Sequence, residues 1–190
     1  MSRPAFTLIA GANGAGKSTL SRSGSGRLNG APIFDPDLIA SALAASKNPA
    51  ETQIAAGREL LTTIEEHIMS RVSFAVETTL SGKLYLKMMS RTRQLGYENI
   101  LIYIGTANVE INLARVATRV SLGGHDVPEE DIRRRYARSL QNLPLAVRLA
   151  DRAMLLDNSN EAGYQLIGVI ENGTAEWLTV LPQWAALLKA

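Results

Sequence analysis

Short apolar runs alternate with longer amphipathic stretches along the chain, and this alternation predicts a strand–helix repeat. Phe6–Ala10 is a compact apolar run closed by glycine, the pattern of a strand buried on both faces. Pro32–Phe34, Val72–Val76, Ile100–Ile104 and Ala153–Leu156 read the same way. Between them, Ile54, Leu61, Ile64 and Ile68 recur at helical spacing, as do Val109, Leu113, Val116, Ala117 and Val120. The expected fold class is α/β, with a mainly parallel sheet and helices on both faces. Ligands of such sheets bind beyond the carboxyl ends of the strands, so polar residues just after the apolar runs carry the interest.

Two stretches depart from the repeat. Residues 21–30, SRSGSGRLNG, are rich in Ser, Gly and Arg, so the helix after the first strand is expected to end early. Near the C-terminus, Asn172-Gly173 sits between two apolar runs and predicts an antiparallel hairpin. No internal repeat or linker interrupts the pattern, and residues 1–190 are expected to form one domain.

Residues 11–19, GANGAGKST, match the phosphate-loop pattern GxxxxGK(S/T) directly after a predicted strand, the context that gives the pattern meaning. Glycines let the backbone turn N–H groups around phosphate oxygens, and the following helix N-terminus adds a favourable dipole. Gly11, Ala12, Asn13, Gly14, Ala15, Gly16, Lys17, Ser18 and Thr19 are the expected nucleotide-binding residues. Lys17 is expected to reach the β- and γ-phosphates, and the Ser18 hydroxyl to ligate Mg²⁺. A nucleoside triphosphate is therefore the expected ligand. No Asn-Lys-x-Asp guanine motif is present, and the run Ile100–Ile104 ends in Gly105-Thr106 rather than in an acid.

The carboxylates that phosphoryl transfer needs must then come from other strand ends. Asp35-Pro36-Asp37 and Glu77 are the candidates. Asp37 is equally readable as a helix N-cap before Leu38, and Glu77-Thr78-Thr79 as a polar strand end with a cap for the next helix. Arg115 and Arg119, four residues apart on one polar helix face, repel each other unless an anion lies between them. In EEDIRRRYAR each of Arg133, Arg134 and Arg135 follows an acid by four residues, so a solvated, salt-bridged helix competes with a phosphate-facing one. Gly123-Gly124-His125 before Pro128 suggests a lid-like segment at about residues 119–140, with Pro128 opening its helix. His125 reads as a solvated loop residue and His67 as part of a polar helix face.

Composition narrows the classes further. Apolar residues make up 46% and charged residues 20%, as in ordinary globular proteins. The absence of cysteine excludes disulfides and thiolate chemistry, and no segment approaches a membrane span, so a cytoplasmic protein is expected. The net charge of +2 comes without an aromatic–basic stacking array, which makes nucleic acid an unlikely partner.

The ordered set GANGAGKST, FDPDLIA, FAVETTLSGK, RVSLGGHDVPEEDIRRRYARSLQNL and LLDNS resembles the zeta-toxin family of P-loop kinases, in its short, single-domain branch, over roughly residues 5 to 160. The resemblance implies a fold similar to nucleoside monophosphate kinases. It also implies an ATP- and Mg²⁺-dependent kinase acting on a small hydroxyl-bearing acceptor such as UDP-N-acetylglucosamine, with a small antitoxin as a possible partner; a nucleotide-binding ATPase or interaction protein of a toxin–antitoxin-type system, or a kinase for another metabolite, is the alternative. By the same resemblance Asp37 is the catalytic base, Glu77 and Thr78 bind the acceptor with it, and Arg119 with Arg134 or Arg135 stabilises the transferred group. Arg134 is the first choice of that pair. The resemblance also implies that Asp157-Asn158-Ser159 lies near the nucleotide base, a segment equally readable as a strand-ending turn, and that Asp35 is at most a Mg²⁺ water ligand or a structural acid. The chain departs from the family at Ala12-Asn13, where a proline is usual, and at FDPD, which replaces a more polar acidic segment.

Overall fold

The structure, a computed structural model, describes residues 3–23, 27–28, 30–35 and 49–189. Eight strands form a sheet in the order β2-β3-β4-β1-β5-β6-β7-β8. They are β1 (Ala5–Ala10), β2 (Arg27–Leu28), β3 (Ala31–Phe34), β4 (Phe74–Thr78), β5 (Glu98–Gly105), β6 (Arg152–Asp157), β7 (Gln165–Glu171) and β8 (Thr174–Trp177). Among the described residues five helices flank the sheet: α1 (Lys17–Ser23), α2 (Pro49–Met69), α3 (Leu84–Gln94), α4 (Val109–Ser121) and α5 (Glu129–Leu149). A 3₁₀ helix, Gln183–Leu188, follows.

The central pairs β3–β4, β4–β1, β1–β5 and β5–β6 are parallel. In β1, β4 and the second half of β5 the apolar runs are continuous because both faces are buried, whereas β6 alternates buried and half-buried positions. Phe6, Leu8, Phe74, Val76, Leu101, Tyr103 and Leu155 join Ile64, Met89 and Leu143 from the helices in the main core. Ile9, Ala75, Ile102 and Ile104, on the opposite sheet face, are buried as well. Phe6 and Phe74 stack at 4.8 Å between ring centroids, fixing the register of β1 against β4.

The outer strands are antiparallel. Asn172 (φ 49°) and Gly173 (φ 82°) form the expected two-residue turn between β7 and β8, both in the left-handed conformation such hairpins use. Helix α1 is only seven residues long, as the Ser/Gly/Arg-rich sequence after it suggested. Strand β2, two residues paired antiparallel to β3, had no sequence signal.

Some boundaries differ from the hydrophobic pattern. β4 begins at Phe74 rather than Val72, because Arg71 takes a left-handed φ of 54° and turns the chain before the strand starts. It ends at Thr78, so Glu77 lies within the strand. On α2 the core-facing residue is Leu60, whereas Leu61 is half-exposed; Ile64 and Ile68 are buried as expected. On α4 Val116 is buried and Val109, Leu113 and Val120 pack on it, but Ala117 faces solvent. Pro128 is the residue before α5, which runs unbroken for 21 residues. Of the segment expected to form a lid, only residues 122–128 lie outside helices. No helix among the described residues is long and apolar enough to cross a membrane.

Candidate active site

The loop between β1 and α1 lies at the carboxyl end of the parallel strands, beside the ends of β4 and β5. Its glycines are dictated by what stands behind them. Gly14 (φ 75°) has the Asn112 backbone so close that a Cβ would lie 2.6 Å from its carbonyl oxygen. At Gly16 (φ 107°) a Cβ would lie 2.6 Å from Asn158 Nδ2 and 2.9 Å from the Tyr164 hydroxyl. Any side chain at either position would both clash and adopt a disfavoured backbone conformation.

A cleft of about 740 Å³ opens in front of this loop, within the size range of small-molecule sites. Lys17, Arg22, Arg115, Arg119 and Arg135 line it, opposed by only two described acids, Asp35 and Glu77. Such a surplus of cations suits a polyphosphate. Lys17 Nζ donates to Ala12 O at 3.2 Å. The Ser18 hydroxyl donates to Glu77 Oε2 at 3.0 Å, and the Ser21 hydroxyl donates to the other carboxylate oxygen. Glu77 is 3% exposed and Asp35 8%, so both acids meet the cleft from the protein interior.

The arginines divide cleanly. Arg115 donates to Asn158 O at 2.8 Å and Arg119 to His125 O at 2.7 Å, and both line the cleft. Arg133 is bound to Glu110 and Glu129, each at 2.7 Å, and Arg134 to Asp131 at 2.8 Å, on the exposed side of α5. Only Arg135 of this triplet reaches the cleft, where Nη1 lies 3.4 Å from Asn13 Oδ1. The salt-bridged reading of EEDIRRR holds for all three, since Arg135 Nη2 also lies 3.5 Å from Asp131 Oδ2, but Arg135 lines the cleft as well. Arg134, chosen above from the resemblance, does not line the cleft, and Arg135 does.

The other expected residues fall as follows. Asn13, Gly14, Gly16, Ser18, Thr19, Thr78 and Asn158 line the cleft, while Gly11, Ala12 and Ala15 form the buried back of the loop. The Asn158 side chain donates to Ala15 O at 2.8 Å, so its amide supports the loop. Asp157 accepts from Trp184 Nε1 and from the Ser159 hydroxyl, each at 2.8 Å, which ties the end of β6 to the 3₁₀ helix. Asp37 lies outside the described residues; Asp35, two positions earlier, is in the cleft.

Several residues at the site carried little or no signal in the sequence. Leu80, fully buried just after the cleft-lining Thr78 and Thr79, has a left-handed φ of 56°. Asn142 of α5 holds it, donating to Leu80 O at 2.8 Å while accepting from Lys83 Nζ at 2.6 Å. Asn112 is wholly buried and donates to Asn13 O at 2.6 Å. Its one signal was a polar residue on an otherwise apolar helix face. Tyr164, in the loop after β6, had none; its hydroxyl donates to Gly16 O at 2.7 Å. Burial raises the pKa of the Tyr164 phenol above its ordinary value, so it stays a donor throughout the neutral range.

A parallel sheet with a phosphate loop after its first strand, facing a cleft lined by arginines, is the architecture of the P-loop kinases. The Zeta toxin family profile matches residues 1–164, and the chain belongs to that family. An uncharacterized protein of Haemophilus influenzae is 36% identical over 126 residues, 66% of this chain and 88% of that protein. Among solved structures, a chain of the AvrRxo1-ORF1:-ORF2 complex with ATP superposes with a TM-score of 0.74 at 16% identity, covering 98% of this chain and 63% of that one. A structure from the PezAT chromosomal toxin–antitoxin system of Streptococcus pneumoniae superposes with a TM-score of 0.58 at 18% identity, over 87% and 71% of the two chains. The present chain thus spans less than two thirds of the AvrRxo1 complex chain it matches, and both superpositions speak to the fold.

Proposed function

We propose that this protein transfers the γ-phosphoryl group of ATP to a hydroxyl of a small acceptor, with the amino-sugar hydroxyl of UDP-N-acetylglucosamine as the first candidate. The observation that carries the reading is the joining of Ser18 to buried Glu77 inside a cleft rimmed by Lys17, Arg115, Arg119 and Arg135. A nucleotide-binding ATPase needs the phosphate loop. A kinase needs in addition a second compartment for an acceptor, and the cleft continues past Glu77 to Thr78, Thr79 and Tyr85.

The chain's own residues fit the nucleotide and the metal. Glycines at positions 14 and 16 leave the loop backbone free to face phosphate, and the helix that starts at Lys17 points its N-terminus at the same place. Ser18 with Glu77 and Asp35 offers oxygen donors of the kind Mg²⁺ takes. When bound, the ion would offset charge on the β- and γ-phosphates. The described geometry favours Glu77 over Asp35 as the acid that orients the metal's water, since Glu77 is hydrogen-bonded to Ser18 itself. Lys17 would neutralise the phosphates. Arg119 and Arg135, one on each side of the loop 122–128, would hold charge that develops on the transferred group. Asp37 is retained from the family resemblance as the base that accepts the acceptor's hydroxyl proton. Thr78, whose hydroxyl accepts from Leu80 N at 3.0 Å, sits on the acceptor side with Glu77.

A protein partner belongs to the same proposal. A small antitoxin that covered the arginine-lined mouth of the cleft would block nucleotide entry. The test of the reading is an acceptor panel: purified protein with ATP and Mg²⁺ is incubated with UDP-sugars, nucleosides and free sugars, and products are scored by mass for an added phosphate. A phosphorylated UDP-amino sugar supports the full reading; a phosphorylated acceptor of another kind keeps the kinase and replaces the substrate. Release of phosphate without any modified acceptor overturns the proposal.

A further inference from the structure

Three side chains from outside the phosphate loop take three of its carbonyl oxygens. Asn112 of α4 donates to Asn13 O at 2.6 Å, Asn158 after β6 donates to Ala15 O at 2.8 Å, and Tyr164 donates to Gly16 O at 2.7 Å. In a trans peptide the C=O of one residue and the N–H of the next point in opposite directions. Carbonyls drawn backward at 13, 15 and 16 therefore turn the N–H groups of Gly14, Gly16 and Lys17 forward, toward the cleft. We infer that Asn112, Asn158 and Tyr164 form a clamp that presets the phosphate-binding amides, and that Tyr164 acts through the loop backbone rather than on the nucleotide base.

Each member of the clamp is itself anchored. The Thr106 hydroxyl donates to Asn112 Oδ1, and the Tyr136 hydroxyl of α5 donates to Thr106 O at 2.8 Å. Asn158 N donates to Gly105 O at 2.9 Å, and its carbonyl accepts from Arg115. The glycines agree with the same account. Those at 14 and 16 are the positions where a Cβ would strike Asn112, Asn158 and Tyr164, so they make room for the clamp as well as for phosphate. The Gly16 carbonyl also accepts from Thr19 N and Leu20 N at 3.1 and 3.2 Å, so Tyr164 secures the junction of loop and α1. Anchored amides need no reordering when phosphate arrives, and that preorganisation raises affinity.

The inference rests on the phosphate-binding reading of the loop, and the experiment separates the two. Affinities for ATP and for inorganic tripolyphosphate, which has no base, are measured calorimetrically for wild type, Tyr164→Phe and Asn112→Ala, alongside the melting temperature of each without ligand. Tyr164→Phe keeps the ring and removes one donor. The clamp predicts that it weakens ATP and tripolyphosphate by the same factor, roughly five- to tenfold, while the ligand-free melting point moves by less than about 3 °C. Asn112→Ala should weaken both ligands in parallel too, and it serves as the second probe if Tyr164→Phe proves unstable. Unchanged affinities in both variants, or a loss confined to ATP, would overturn the clamp while leaving the phosphate loop in place. Failure of the wild type to bind either ligand would overturn the phosphate reading itself, and the clamp with it.

Discussion

The Ser18 hydroxyl donates to Glu77 Oε2 at 3.0 Å, joining the first turn of α1 to the end of β4 across the β1–β4 pair. Ser21, one turn further along α1, takes the other oxygen of the same carboxylate. A buried carboxylate satisfied by two hydroxyls is fixed in place, and one of those hydroxyls is the metal-ligand candidate of the phosphate loop.

Glu77→Gln should therefore disturb the metal more than the nucleotide. The half-saturating Mg²⁺ concentration for turnover is expected to rise at least ~10-fold, in line with the loss of groups that orient metal ligands. Metal-free ADP affinity should stay within about threefold, because the phosphate amides and Lys17 are untouched. A titration of activity against Mg²⁺ checks this; an unaltered Mg²⁺ dependence would remove Glu77 from the metal site.

Arg134 and Arg135 adjoin in sequence but differ in placement, and of the two Arg135 lines the cleft. Arg135→Ala should lower turnover by ~100-fold or more, because cations on the transferring group act mainly in the transition state. Arg134→Ala loses only an exposed pair with Asp131 and should stay within about threefold of wild type. Steady-state kinetics of the two variants decide the matter, and equal effects would contradict the placement.

Much of the fold could be read in advance because β1 and most of β5 are buried on both faces and so stand out as plain apolar runs. The phosphate loop was equally plain, since its glycines are required by backbone geometry. Other features were hidden because their cause lies elsewhere in the chain. Glu77 extends β4 past its apolar run, and the hydroxyls of Ser18 and Ser21 bond its buried carboxylate there. The choice of Arg135 over its neighbours depends on the orientation of α5, which is set by distant core residues such as Leu143 and Ala146. Tyr164 acts on a carbonyl 148 positions away, beyond any local pattern.

Asn142 bonds Leu80 O beside the cleft-lining Thr78 and Thr79, from the same α5 face as Arg135. Asn142→Ala leaves Leu80 in a left-handed conformation without its carbonyl partner, a conformation that costs about 1–3 kcal/mol for a residue other than glycine. Chemical denaturation should show a loss of roughly 1–3 kcal/mol. The Michaelis constant for the acceptor should rise more than that for ATP. A variant equal to wild type in both respects would show that the Leu80 turn holds without α5.

Phosphoryl transfer itself is tested most directly by following the γ-phosphate. With γ-labelled ATP, Mg²⁺ and UDP-N-acetylglucosamine or another accepted hydroxyl compound, the wild-type protein should place the label on the acceptor. Asp37→Asn should bind ATP with near wild-type affinity yet transfer no label. Label recovered only as inorganic phosphate, whatever acceptor is supplied, would contradict the account.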